Sequence, residues 1–151
     1  MFPKIQNVKI VLTYDRELKM MTKQVVWTND APQPVGQYSP ATRYGNLLVV
    51  GGNGPINHNT GEVVRGNFKE EARLTLKNMQ AVIEAGGSSL SNVLKVTVYL
   101  ANIKDFDEFN EVYSEFFPDV KSAPTRAVVG VAGLWGGISV ETECLAVVNE
   151  E

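Results

Sequence analysis

The chain has 151 residues, 44% of them hydrophobic and 21% charged, which fits one soluble domain with a core of its own. A net charge of −3 argues against a broad nucleic-acid or anionic-membrane face, since both need an excess of cations. A single cysteine, Cys144, excludes an intrachain disulfide, and a single histidine, His58, excludes a multi-histidine metal site.

Residues 1–20 carry a short apolar patch, Val8 to Leu12, that Lys9 interrupts. It is too short for a secretory segment, and Asp15 and Glu17 sit badly in a mitochondrial presequence. The expectation is an N-terminal extension over 1–20, a disordered arm or a short added strand, before a single domain over 21–151. With no targeting signal read and no apolar run near the ~20 residues that span a bilayer, the expected compartment is the cytosol.

Gln24-Val25-Val26-Trp27 reads as a short strand. Thr28 to Gly36 is rich in turn formers and forms no regular element. Tyr38-Ser39-Pro40-Ala41 leads into a hairpin turning at Tyr44-Gly45-Asn46, with Leu47 to Val50 as its apolar second strand. Gly51-Gly52-Asn53-Gly54-Pro55 is expected to end that strand, and Asn57 to Gly61 to form a turn holding His58. Phe68, Ala72, Leu76, Met79 and Ile83 make one helical stripe, started by Asn67 and stopped at Gly86-Gly87. Val93 to Leu100 alternates as a strand. Asp105-Phe106-Asp107-Glu108 is close to a capping box, and Phe106, Phe109, Tyr113, Phe116 and Phe117 form a second stripe that Pro118 stops. Thr125 to Ala132 and Ile138 to Val148 are expected as a final strand pair, joined by a hairpin loop over Gly133 to Gly137.

This order predicts an α+β domain, a mostly antiparallel sheet with two helices on one face. On the last strand Ser139, Glu141, Glu143, Leu145 and Val147 share the other face, which is apolar at one end. Such a face is expected to pack against further copies of the chain.

Arg126 opens an otherwise apolar run. It is either a strand-end arginine in a salt bridge or a planar fork for a carboxylate. Glu141 and Glu143 are either solvated glutamates or half-buried carboxylates, whose raised pKa suits a general base. The glycines around Gly52 lack the lysine and helix of a phosphate loop, so they point to a close backbone approach. Tyr38 in its loop, Asn110 beside the second stripe and exposed His58 are weaker candidates. Cys144 reads as a buried small hydrophobe.

Several of these segments resemble one family when taken in order. Ala31-Pro32 with Val35-Gly36-Gln37-Tyr38-Ser39-Pro40-Ala41 is similar to its A-P…I-G-P-Y-S-Q-A element. Asn57 to Glu62 resembles its N-x-x-T-G-E turn, and Asn78, Ala81, Ala85 and Gly86 echo its first helix. D-F-D-E-F-N-E-V-Y-S-E-F-F, Asp105 to Phe117, is similar to D-F-x-x-x-N-x-x-Y-x-x-F-F, Pro124-Thr125-Arg126 to P-A-R, and Val140-Glu141-Thr142-Glu143 to V-E-I-E. The family is Rid, the reactive-intermediate imine deaminases, formerly L-PSP endoribonucleases or translation-initiation inhibitors. The resemblance implies a chorismate-mutase-like fold and a homotrimer whose sheets pack into a central barrel, with clefts between subunits. It implies hydrolysis of 2-imino or 2-enamino acids such as 2-aminoacrylate to 2-keto acids and ammonia, with no metal and no cofactor. It assigns Arg126 to the substrate carboxylate and Glu141 to the attacking water. Tyr38, Gly52, Asn110 and the backbone of Val128 are assigned to substrate contact. Gly51 and Val128 depart from a serine and a cysteine common in the family, and Trp135 from a proline. The competing readings are an endoribonuclease or translation inhibitor, which the acidic charge weighs against, and a non-catalytic ligand-binding or chaperone-like trimer.

Overall fold

The computed structural model describes residues 22–149, so the expected extension over 1–20 lies outside the described residues. Among the described residues, six strands form one mixed sheet: β1 (Gln24–Val26), β2 (Ala41–Tyr44), β3 (Leu47–Asn53), β4 (Val93–Leu100), β5 (Thr125–Gly130) and β6 (Val140–Val147). Two helices of the described residues, α1 (Phe68–Ala85) and α2 (Phe106–Phe116), pack with it. The spatial order is β1-β2-β3-β6-β4-β5, antiparallel throughout except for β4 with β5.

The expected hairpin between the last two strands does not form, because β4 lies between β5 and β6. Helix α2 connects β4 to β5, the crossover that a parallel pair requires. The burial pattern explains the order. Every second residue of β6 is buried from Val140 to Ala146, as a central strand demands, whereas β5 has no buried residue and takes the edge. The glycine-rich link instead passes the end of β4, where Val131 N–H donates to Leu100 O at 2.9 Å and Ala101 N–H to Ser139 O at 2.9 Å. Strand β3 runs on to Asn53 through Gly51 and Gly52, with a register shift against β6 where a stop was expected.

One core joins helices to sheet. Leu76, Met79, Val82 and Ile83 of α1 and Phe109 and Val112 of α2 meet Leu48, Val96, Val98, Leu100, Val140 and Ala146, all essentially inaccessible. Asn67 caps α1, its side chain accepting from Lys69 N–H and Glu70 N–H. Glu71 does more than favour the helix dipole: it is buried, accepts from Gly66 N–H at 3.1 Å and accepts the Ser139 hydroxyl. Gly87 takes φ +82 just past the helix end. The expected capping box at α2 is absent, since the Asp105 side chain caps nothing; Asn102 caps the short turn before it instead. Arg73 grips Glu115 with two hydrogen bonds of 2.6 and 2.7 Å and Lys69 pairs with Glu111, which sets the register of the two helices on an exposed surface.

Among the described residues, the opposite sheet face has no such cover. Val25, Leu47, Val49 and Val129 are 44, 39, 42 and 42% exposed. Leu47 pairs with Val147 and Val49 with Leu145, so the apolar stripe runs unbroken across β3 and β6. Among the described residues no helix is long and apolar enough to cross a membrane.

Candidate functional site

Strand alternation puts Arg126 and Glu141 on opposite faces of the sheet. Arg126 is in register with Val96, which faces the helices, and Glu141 with Tyr99, which faces away. The sequence-predicted residues therefore sort into two groups on one chain.

The first group lies on the helix side of edge strand β5. The Arg126 guanidinium is centred 4.4 Å over the Tyr113 ring and about 6 Å from the rings of Phe109 and Phe106. Its Nη2 donates to Asn110 Oδ1 at 2.7 Å. Asn110 thus holds the arginine, which fixes the plane of the fork and leaves its other donors for an anion. Phe109 and Tyr113 sit 5.6 Å apart, and Phe117 stacks on Tyr113 at 4.6 Å, so the rings of the cradle pack on one another. Burial pushes the Tyr113 hydroxyl up to about 12, with the neighbouring guanidinium opposing the shift. Val128, two residues along, packs half-buried on the same side. All five stripe residues, Phe106, Phe109, Tyr113, Phe116 and Phe117, are aromatic, and that run is the sequence sign of a cation seat.

The second group lines a cavity of about 770 Å³ that includes Tyr38, Gly52, His58, Trp135 and Glu141. The Glu141 carboxylate lies directly over Gly52. A Cβ built on Gly52 would come within 3.0 Å of Glu141 Cδ and closer still to Oε1, so any side chain there displaces the carboxylate. Burial raises the Glu141 pKa above its ordinary value, and the charge of Glu143 on the same face adds to the rise. Glu143 itself accepts from the Tyr99 hydroxyl at 3.0 Å. Tyr38 is held in its loop: its hydroxyl accepts from Val35 N–H at 3.2 Å and its N–H donates to Gly36 O at 3.0 Å. His58 is exposed at the cavity wall, in a turn set by Asn57, whose side chain accepts from Asn59 N–H and Thr60 N–H. Cys144 is buried on the helix side, which pushes its thiol up to about 12 and removes it from the chemistry.

Asn78 anchors the cavity floor. It is 3% exposed and donates to both Gly54 O and Ile56 O at 2.9 Å. Asn78→Ala strands these carbonyls, so a loss of about 2 kcal/mol of stability is expected, read as a lower urea midpoint at unchanged slope. An unchanged midpoint contradicts the anchoring.

The profile of the Endoribonuclease L-PSP family matches residues 28–148. A RutC family protein of Pyrococcus abyssi is 44% identical over 126 residues, covering 83% of this chain and 98% of that one. A protein of Dermatophagoides farinae named 2-iminobutanoate/2-iminopropanoate deaminase is 40% identical over 130 residues, covering 86% of this chain and all, 100%, of its own. The crystal structure of E. coli TdcF with bound serine superposes with a TM-score of 0.78 at 33% identity, covering 83% of this chain and 99% of that chain.

Proposed function

The chain belongs to the Endoribonuclease L-PSP family, also known as Rid, and from that premise we propose that it hydrolyses reactive 2-imino or 2-enamino acids to 2-keto acids and ammonia. The observation that carries the reading is the Glu141 carboxylate, half-buried in the cavity over a glycine floor, with a pKa above that of a free glutamate. The name of the mite relative supports the reaction class. The serine bound by TdcF supports a small carboxylate ligand.

The two residue groups are halves of one site, completed by a second copy of the chain. The apolar stripe on the open sheet face is the surface that further copies cover, in a homotrimer whose sheets line a central barrel. There the Arg126 fork of one copy meets the cavity of the next and binds the substrate carboxylate. Tyr38, Gly52 and the Val128 backbone enclose the rest. Glu141 accepts a proton from water as its oxygen bonds to C2 of the protonated imine, and the C=N electrons move to nitrogen. Glu141 then gives that proton to the nitrogen and takes the remaining hydroxyl proton, so the C–N bond breaks, the C=O forms and ammonia leaves. The substrate is already electrophilic, so orientation and one base supply most of the acceleration. No observation favours RNA cleavage, and a net charge of −3 argues against a broad cationic face.

The test couples the purified chain to a dehydratase that releases 2-aminoacrylate. The expected result is faster pyruvate formation than in buffer; an unchanged rate contradicts the reading. A second result concerns pH. Glu141 works as the anion, and its pKa is raised, so activity falls on the acid side at a higher pH than for an ordinary carboxylate. Glu143→Gln removes one cause of the rise and keeps an acceptor for Tyr99. Its acid limb is expected at lower pH than that of the parent. A limb that stays or moves up contradicts Glu141 as the titrating base.

A further inference from the structure

The cavity has a second wall that the chemistry at C2 does not use. Trp135 lines it and is 63% exposed, and across the lining stand Val35 and Tyr38, 73 and 55% exposed, with Pro34 and Ile56. An indole is costly to leave in water, and an indole at a cavity wall is a surface for apolar contact.

This indole is also held in place. Gly136 and Gly137 both take φ +66, a conformation that favours glycine, and so reverse the chain just after it. Arg65 donates to Gly137 O at 2.8 Å and to Gly136 O, tying the loop across to the segment before α1. On the far side the Ser139 hydroxyl donates to buried Glu71. Two independent anchors on a nine-residue link would be unneeded for a solvent loop; they fix the wall relative to Glu141 in the same cavity. In a single copy of the chain that cavity is about 770 Å³, before a neighbouring copy closes on it.

We propose that Trp135 and the Pro34–Val35 segment form a side-chain subsite, and that the preferred substrates are 2-imino acids with aromatic or large branched side chains. The proposal rests on the deaminase reading for its reaction and stands on the cavity for its specificity. The imine of phenylalanine binds with its carboxylate toward the arginine fork, C2 near Glu141 and the phenyl ring against Trp135. Hydrolysis then proceeds as for the smaller imines, with water consumed and ammonia released.

Two measurements separate the subsite from the reaction. Calorimetry compares phenylpyruvate with pyruvate, the keto acids matching the two extremes of side chain, in the parent protein and in Trp135→Ala and Trp135→Leu. Phenylpyruvate is expected to bind on the order of tenfold more tightly than pyruvate, with most of that ratio lost in Trp135→Ala and less in Trp135→Leu. Turnover is compared on imines generated from phenylalanine and alanine by an amino-acid oxidase, with the same pattern expected in kcat/KM. Equal affinities in the parent, or a ratio that survives Trp135→Ala, overturn the subsite. If the phenyl preference appears in binding and neither imine is hydrolysed, the subsite stands and the deaminase reading falls. If both imines are hydrolysed with no preference for the phenyl group, the deaminase reading stands and the subsite falls.

Discussion

Arg126→Ala is expected to lower kcat/KM for 2-imino acids by about a hundredfold, chiefly through KM. Losing a two-pronged partner for a carboxylate costs about 2–5 kcal/mol where the pair is desolvated, and the half-buried position puts this site toward the lower end. Arg126→Lys keeps the charge and loses the planar fork, so an intermediate loss is expected. Alanine also strips the cation from the Tyr113 ring and the donor from Asn110, so the variant is compared by its melting curve as well as by its rate. A folded Arg126→Ala protein with the parent KM contradicts the assignment.

The second large effect is on kcat. Glu141→Gln keeps the shape and the position over Gly52 but cannot take a proton from water. A fall in kcat of about 10²–10⁴ is expected, the range supplied by a positioned base. KM changes little, because the carboxylate of the substrate is held elsewhere. The acid limb of the pH profile disappears with the group that titrates. Full activity in Glu141→Gln places the base on another residue.

Much of the fold was legible because burial leaves a periodic trace. The stripe at Phe68, Ala72, Leu76, Met79 and Ile83 gave α1, and the alternation in β4 and β6 gave both the strands and their buried faces. Strand order was not legible at the end of the chain. A glycine-rich link between two apolar runs is the sign of a hairpin, yet the pairing was decided by how deeply each strand is buried, which only the packed sheet reveals. Asp105 shows the same limit locally. The capping pattern was present, but the turn at Ile103–Asp105 occupied the helix start and the side chain found no amide.

The site was legible as residue types and not as geometry. A guanidinium and a half-buried glutamate are chemically conspicuous. The sequence could not tell that they stand on opposite faces of one sheet, since one residue of register reverses a side chain. Asn110 was expected at the substrate; that it also accepts from Arg126 was not legible, since the contact joins helix α2 to strand β5. The tie of Arg65 to the Trp135 loop escaped because more than 70 residues of sequence, 71 and 72, separate it from the Gly136 and Gly137 carbonyls it reaches.

The central claim is that neighbouring chains each contribute half of every site, and subunit mixing tests it most directly. With substrate well below the parent KM, Arg126→Ala and Glu141→Gln chains are each expected to be nearly inactive alone. Unfolded together in equal amounts and refolded, they are expected to regain about a quarter of the parent activity, because random assembly pairs an intact Glu141 with an intact Arg126 at that fraction of interfaces. Mixed oligomers, verified by mass spectrometry, that remain as inactive as either variant alone would contradict the account.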